Sequence, residues 1–519
     1  MPSKSSPQTQ RRSLSDDPLA AAMRPPEDES PAQRELRILT EQQAKQISDA
    51  IDEQIRLDKA ELKKNKPDVQ VLLLGQSESG KSTTLKQFQL MHTPAAFHAE
   101  RVAWRSVIYL NLVRSIRRIL DAISPQQDLD PVDLERIDTL SIASDPSSEP
   151  SDPQVHREAE EKHAYYLQRL GPLLELEDRL IRALSEDGED DEATRLGDGS
   201  TPGWSVPRPS LQVDTRSITV TSSVRSPIAR GVELSVRTTS NWKKALSLNR
   251  NKLKTSTSNE LEGWWEDPTD PVHVLGDCRA AMEQLWTDSW VRARLAHKLI
   301  RLEESSGFYL DEIERITAKK YIPTDDDVLK ARLKTMGVVE HTFTIDRGLG
   351  RGHFLWKIYD VGGARNQRQA WAPFFQDVTA IIFLAPISAF DQVLAEDSRV
   401  NRLEDSLLLW RTVVANKLLA RVNIVLFLNK CDLLQAKLEA GVQLKNHLIT
   451  YGDRPNDYDS VSKYLRNKFG VIHQQNSPTK ERELYMHFTS VTDTRRTSKI
   501  IASVRDIILR ENLKSSRLM

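Results

Sequence analysis

Val71–Thr83 reads VLLLGQSESGKST: four apolar residues that predict a buried strand, then a glycine loop, then Lys81 and Ser82 opening a helix. The spacing of Gly75, Gly80, Lys81 and Ser82 fits G-x-x-x-x-G-K-[ST]. In that pattern the glycines let backbone N–H groups close around phosphate while a helix N-terminus faces the anion. Lys81 is then expected at the β/γ-phosphates and Ser82 on Mg²⁺. A plain glycine turn between a core strand and a core helix shares this spacing. The strand before the loop and the helix after it decide for the phosphate loop.

Working outward, 519 residues are enough for two or more domains. A net charge of −1 implies no bulk attraction to nucleic acid or to a membrane, so no nucleic-acid partner is expected. Two cysteines, Cys278 and Cys431, cannot build a disulfide framework and suit a reducing cytosolic setting. No apolar run approaches the length of a membrane span, and MPSKSSPQTQRRS at the start has no apolar core of a signal peptide. Pro2 excludes the N-terminal M-G myristoylation pattern, and no cysteine precedes Cys278. The expectation is a cytoplasmic protein, peripheral at the inner face of the plasma membrane through partners.

Residues 1–31 are Ser, Pro and charge and are expected to be disordered. Over 32–66, Leu36, Leu39, Ile47, Ile51, Ile55 and Leu57 recur at helical spacing among Gln, Lys and Glu. That stripe is too thin for a core helix and suits an exposed helix that docks on a partner or stays solvated. A second run, Glu100 to Ile123, carries Trp104, Val107, Ile108, Leu110, Leu112, Ile116 and Leu120 and predicts a helix buried on one side. From about 141 to 271 the composition collapses into acidic and Ser/Thr-rich basic stretches that cannot supply a continuous core. This reads as a largely disordered insertion, with one helix over His156 to Leu184. Helical segments with polar breaks follow, so a helical domain interrupts an α/β domain.

From Glu340 strands alternate with helices: HTFTIDRG, FLWKIYDVG, AIIFLAPIS, NIVLFLNK and ELYMHFTSV, with a helical run after all but the first. This predicts an open, mostly parallel sheet with helices on both faces and the ligand at the carboxyl ends of the strands. FLWKIYDVGG ends in Asp360 and a Gly-Gly pair, which suits a carboxylate for Mg²⁺ and a Gly363 N–H that approaches a γ-phosphate. VLFLNKCD ends in Asn429, Lys430 and Asp432. An aspartate there accepts both the ring N–H and the exocyclic amine of guanine, a donor pair that adenine lacks.

LLLGQSESGKSTTLKQ, YIPTDDDVLKARLKTMGVVE, YDVGGARNQRQAW, FLNKCDLL and FTSVTDT, in that order, resemble the nucleotide-binding motifs of heterotrimeric G-protein alpha subunits. LWTDSWV and LEESSGFYLDEIERI are similar to that family's helical domain. The resemblance implies a Ras-like P-loop GTPase domain with an inserted all-helical domain. The plan is an N-terminal helix over 32–66, the GTPase domain over 67–94 and 329–519, and the helical domain over 95–328.

Carried over residue by residue, the resemblance gives the phosphate loop as Gly75, Gln76, Ser77, Glu78, Ser79, Gly80, Lys81, Ser82 and Thr83. It adds Ser305, Leu329, Lys330, Gly362 and Gly363 to the nucleotide contacts. Ser82 and Thr335 are implied as direct ligands of Mg²⁺ and Asp360 as a ligand through water. Arg332 is implied as the built-in arginine that neutralises transition-state charge, with Glu78 as its partner across the cleft. Asn429, Lys430 and Asp432 are implied to read guanine, and the Val491 N–H to meet its oxygen. GTP or GDP is the implied ligand. The implied partners are a beta-gamma dimer on the N-terminal helix, a seven-helix membrane receptor on the C-terminal helix and its SSRLM tail, and a downstream effector the sequence does not identify.

The departures from the family pattern bear on turnover. Ala364 stands where the family has its water-positioning glutamine, Ser77 where it usually has glycine, Met336 where threonine commonly follows the metal ligand, and Ser490-Val491 where it has Cys-Ala. The N-terminal Gly-Cys lipidation pair is missing, and Ser516 replaces the cysteine that toxins modify in some members. A guanine-nucleotide switch with slow hydrolysis is therefore expected; the alternative is that Ser77 is tolerated and Asn366 or Gln367 orients the water. Two other readings stay open: a P-loop enzyme that uses ATP or phosphorylates a substrate, and a non-catalytic GTP-binding interaction protein that keeps the fold.

Overall fold

The computed structural model describes residues 30–64, 67–125, 153–185, 235–237, 264–298, 300–346 and 353–515. The expected disorder over residues 1–29 and over 141–152, 186–234 and 238–263 of the insertion lies outside these residues, as do 516–519 of the tail.

Helix α1, Pro31–Lys64, forms a unit of its own. Its apolar stripe is solvent-facing, with Leu36, Leu39, Ile47, Ile51, Ile55 and Leu57 all exposed, as the narrow pattern predicts. Ion pairs one turn apart, Arg37 to Glu41 at 2.8 Å and Arg56 to Glu53 at 2.7 Å, brace the polar faces.

The second unit, Asp68–Met519, carries the sheet. Strands β1 (Val69–Leu74), β2 (Ser235–Arg237), β3 (Lys334–Met336), β4 (Val338–Asp346), β5 (His353–Val361), β6 (Ala380–Pro386), β7 (Asn423–Asn429) and β8 (Leu484–Thr489) follow the chain. Six of them form one sheet in the order β4-β5-β1-β6-β7-β8, antiparallel only between β4 and β5. Side chains alternate along β1 because a strand has a period of two. Val69, Val71 and Leu73 enter one core with Phe88, Ile501 and Val504, while Leu72 and Leu74 enter the other with Trp410, Val461 and Leu465. Both faces are therefore covered, which explains the near-continuous apolar runs of β1, β6 and β7.

Among the described residues, the α-helices of this unit longer than four residues are, in chain order, α2 (Lys81–His92), α3 (Pro94–Glu100), α4 (Trp104–Ile123), α5 (Pro153–Ser185), α6 (Pro271–Thr287), α7 (Ser289–His297), α8 (Asp325–Lys330), α9 (Arg402–Ala415), α10 (Cys431–Glu439), α11 (Tyr458–Asn476) and α12 (Thr494–Ser515). α2 and α12 back one face of the sheet, and α9 and α11 the other. A third core, built on α4 to α7, lies apart from the sheet: Val107, Leu110, Val113 and Leu120 of α4 meet Leu275, Met282 and Leu285 of α6. The mixed α/β architecture with a helical body inserted after α2 is the one expected.

Two expectations change, and a third is refined. The helix foreseen inside the insertion is a full member of the helical core, since Tyr166, Leu170, Leu173, Leu176, Leu180 and Leu184 are buried there at helical spacing. Within the basic stretch, β2 pairs in parallel with β3, Val236 opposite Thr335. The helical run expected after β5 is a 3₁₀ run over Arg365–Phe375; it contains Pro373, which lacks the N–H an α-helix needs. That run is pinned by Trp371 Nε1 donating to Gly362 O at 3.0 Å and by a two-pronged Arg368–Asp405 pair at 3.0 and 2.5 Å.

Candidate functional site

The strand ends converge on one cleft between the sheet and the helical body. β1 runs into Gly75, where φ is +146° and an added Cβ would lie 2.5 Å from Leu384 O and 2.6 Å from Ser79 Oγ, so only glycine fits. Glu78 (φ 58°) and Gly80 (φ 102°) then take left-handed conformations before α2 begins at Lys81. A loop with such reversals ending at a helix N-terminus forms the concave amide cradle that binds phosphate. Lys81 is buried at its root, with Nζ 2.9 Å from Gly75 O and 2.8 Å from Gln76 O. Burial lowers its pKa to about 8, against the opposing pull of Asp360.

Three oxygens meet beside it. Ser82 Oγ lies 2.6 Å from Asp360 Oδ2 and 2.9 Å from Thr335 Oγ1, and Thr335 Oγ1 lies 3.2 Å from the same carboxylate oxygen. Two hydroxyls and one carboxylate make a hard, all-oxygen donor set of the kind Mg²⁺ takes together with phosphate oxygens. Asp360 Oδ1 is buried with no hydrogen-bond partner, which leaves it available to a water of a metal's shell. Burial raises the Asp360 pKa, opposed by Lys81, Ser82 and Thr335.

Across the cleft, Arg332 Nη2 meets Glu78 Oε1 at 2.5 Å, as expected, and Arg402 Nη1 meets Glu78 Oε2 at 3.1 Å. Burial alone would raise the Glu78 carboxyl; Arg332, Arg402 and Lys430 outweigh it and hold the group well below the usual carboxylate range. Arg402 Nη2 also donates to Ser77 O at 2.9 Å. The backbone of Arg332 is gripped by Asn111 of α4, and Lys86 of α2 donates to Val328 O and Ala331 O at 2.8 Å each.

At the far end, Asn429 knots three segments: Nδ2 donates to Ser79 O at 2.8 Å, while Oδ1 accepts from Thr489 Oγ1 at 3.0 Å and from the Val491 N–H at 3.2 Å. The Val491 N–H, expected to face the guanine oxygen, thus lies on Asn429. Lys430 adopts φ 63° and burial lowers its pKa to about 8.

Ser77 through Thr83, Ser305, Leu329, Lys330, Arg332, Thr335, Asp360, Gly363, Ala364, Asn429, Lys430, Asp432 and Val491 all line this one cleft. Gly75, Gln76 and Gly362 lie behind it: Gln76 is fully buried with Nε2 on Arg402 O, and Gly362 is covered by the Gln367 carboxamide. Lys330 turns its ammonium onto Glu312 at 3.1 Å, and the Ser305 hydroxyl accepts from Arg118 at 3.1 Å. Asn111, Lys86 and Arg402 are absent from the sequence reading. The available signal for the first was a lone Asn amid the apolar IYLNLV of a buried helix; Lys86 and Arg402 gave none.

A phosphate loop, an oxygen set for Mg²⁺ and an Asn-Lys-x-Asp strand end on a parallel sheet define a P-loop nucleotide-binding protein of the GTP-binding class. The family model described as "G-protein alpha subunit" matches residues 45–508, and the chain belongs to that family. It is 33% identical to the guanine nucleotide-binding protein alpha-4 subunit of Mycosarcoma maydis, with each chain covered in full. It is 28% identical to the alpha-1 subunit of Saccharomyces cerevisiae over 91% of this chain and 95% of that one. Identity to the alpha-16 subunit of Caenorhabditis elegans is 37% over 46% of this chain and 64% of that one. Members of this family are GTPases that bind guanine nucleotides, typically with Mg²⁺, and act in signal transduction with beta-gamma dimers and receptors.

Proposed function

We propose that this chain is a guanine-nucleotide switch that binds GTP tightly and hydrolyses it slowly. One juxtaposition carries the reading: in a single cleft the phosphate cradle, the Arg332–Glu78 pair and the Asn429-Lys430-Asp432 strand end are complete, while Ala364 puts a methyl group where the family carries a glutamine. Lys81 and the loop amides hold the phosphates, Asp432 accepts the guanine donors, and Arg332 faces the charge that develops on the transferred phosphoryl group. Ser82, Thr335 and Asp360 would hold Mg²⁺, which supplies charge neutralisation between the phosphates when bound. A methyl group neither donates nor accepts a hydrogen bond, so Ala364 cannot aim a water. Ser77 adds a hydroxyl to the same cleft. We further propose that a beta-gamma dimer docks on the exposed stripe of α1, that a seven-helix receptor acts on α12, and that membrane residence is conferred by these partners from the cytoplasm.

The test is single-turnover hydrolysis by the full chain with nucleotide competition alongside. Ala364→Gln is expected to accelerate hydrolysis, more so with Ser77→Gly, and ATP is expected not to displace a bound GTP analogue. Equal rates for wild type and Ala364→Gln would remove the slow-turnover reading; ATP competing as well as GTP would remove the switch itself. A second reading, a GTP-binding interaction protein without turnover, is favoured by Ala364 and by the pairing of insertion strand β2 with β3. It predicts no hydrolysis in either protein.

A further inference from the structure

We infer that Gln367 orients the attacking water for the slow turnover of this chain, less effectively than a glutamine at position 364 would; the inference rests on the reading of this cleft as a site of GTP hydrolysis. Gln367 stands one 3₁₀ turn past Ala364, its N–H donating to Ala364 O at 2.9 Å. That turn folds the side chain back over Gly362. A Cβ on Gly362 would collide with Gln367 Oε1, lie 2.7 Å from Gln367 Cδ and lie 3.0 Å from the Thr335 backbone oxygen. Two acceptor oxygens, one from the carboxamide and one from a peptide, therefore come together over Gly362. At the next residue, a Cβ on Gly363 would lie 2.5 Å from both Lys81 Nζ and Ser77 N, groups of the phosphate cradle. Gln367 lines the cleft together with Ser77, Lys81, Thr335 and Gly363, so it belongs to the wall around the phosphate cradle.

A water nucleophile needs acceptors for its hydrogens so that a lone pair faces phosphorus. The carboxamide oxygen and the Thr335 carbonyl have that capacity, and the carboxamide can also donate to a phosphate oxygen. In the step they serve, the water oxygen bonds to the γ-phosphorus and the bond from that phosphorus to the β,γ-bridging oxygen breaks. GDP leaves with the electron pair, and the water's proton ends on the released phosphate. The support is rigid: Trp371 on Gly362 O and Arg368 on Asp405 fix the 3₁₀ run that carries Gln367.

The test is single-turnover hydrolysis by the full chain carrying Gln367→Met, which keeps length and volume and removes the carboxamide. Hydrolysis is expected to fall on the order of 10- to 100-fold, the scale of a misplaced reactant, with affinity for a non-hydrolysable GTP analogue kept within about twofold. Ala364→Gln placed in the Gln367→Met background is expected to restore the rate, because it supplies a carboxamide from the neighbouring position. A Gln367→Met protein that hydrolyses as fast as wild type overturns the proposal. So does one that loses analogue binding in parallel, which would give Gln367 a structural role. A wild-type chain that binds GTP with no measurable hydrolysis also overturns it and leaves the nucleotide-binding switch standing.

Discussion

Asn111 grips Arg332 by both backbone groups: its Oδ1 accepts the Arg332 N–H at 2.7 Å and its Nδ2 donates to the Arg332 carbonyl at 3.0 Å. One side chain of the helical body thus sets the backbone from which the Arg332 guanidinium reaches Glu78. Gly307 is fitted to this grip, since a Cβ there, at φ +80°, would lie 2.7 Å from Asn111 Oδ1. Asn111→Leu leaves a peptide N–H and a carbonyl without their partner, a cost of about 1–3 kcal/mol. Every ~1.4 kcal/mol of that which falls on the placement of Arg332 in the transition state slows hydrolysis tenfold. We expect single-turnover hydrolysis to drop about tenfold or more while GTP-analogue affinity changes little. Equal losses in both would assign Asn111 to holding the cleft together.

The clustered oxygens of Ser82, Thr335 and Asp360 predict how metal removal acts. Ser82→Ala and Thr335→Ala each delete a hydroxyl from a cation that demands near-octahedral oxygen geometry, so each is expected to weaken Mg²⁺-dependent retention of GTP. In both variants, GTP release in Mg²⁺ should approach the release that the wild type shows in chelator. Asp432→Ala should leave the Mg²⁺ response alone and erase the preference for GTP over an inosine nucleotide, which lacks the exocyclic amine. An unchanged Mg²⁺ dependence in Ser82→Ala would refute the metal assignment.

Lys430 gives a pH signature. Its pKa is about 8 in the folded chain, lowered chiefly by burial, against 10.5 for an ordinary lysine. Between those values the unfolded chain holds a proton that the folded chain has released, so stability rises with pH across the window. Below about pH 8 both states are protonated, and the folded state bears the full cost of a partly desolvated ammonium. The stripped protein should therefore gain stability relative to Lys430→Met between pH 8 and 9.5, by at most about 1.4 kcal/mol per pH unit. Denaturant unfolding of both proteins at pH 7, 8 and 9.5 reads this directly. A constant difference between them would show that Lys430 keeps an ordinary pKa.

The parts legible in the sequence were those that chemistry writes locally. The loop from Gly75 to Ser82, Asp360 at the end of β5 and Asn429 at the end of β7 each follow an apolar strand and precede a turn, so spacing alone places them on one edge of the sheet. What stayed hidden was set by contacts across long chain separations. Asn111 and Arg332 are 221 residues apart, and Arg402 and Glu78 are 324 apart. No local pattern encodes such pairs. α5 was assigned to the insertion because acidic and Ser-rich stretches flank it, although its buried positions repeat at helical spacing and seat it on α4. The helical run after Ala364 is legible in its polarity, and Pro373 is the local feature that keeps it from being a regular α-helix.

Lys437 on α10 joins the sheet to the helical body. Its side chain is 1% exposed, and Nζ donates to Glu304 Oε2 at 2.7 Å, to Ser388 O at 2.9 Å and to Asp391 Oδ1. Arg301 Nη1 completes the cluster on Glu304 and Asp391. Arg301 and Glu304 flank Leu302 of the helical core, whereas Asp391 follows β6 and Lys437 lies on the helix after β7, so the charges cross between the two bodies. Removing one partner from a buried, hydrogen-bonded charge cluster costs about 3–5 kcal/mol, because the remaining charges stay desolvated. Arg301 remains to compensate, so Lys437→Met should destabilise the chain toward the lower end, about 3 kcal/mol in denaturant unfolding. The consequence for nucleotide is specific. Glu304 immediately precedes Ser305, which lines the cleft, and α10 starts one residue after Lys430, so loosening this junction frees the helical wall of the cleft to move from the sheet. GDP release from Lys437→Met should therefore accelerate, while Lys437→Arg, which keeps a donor and a charge, should change it less. A Lys437→Met protein that loses stability yet releases GDP at the wild-type rate would show that the cluster braces α10 alone and does not hold the cleft shut.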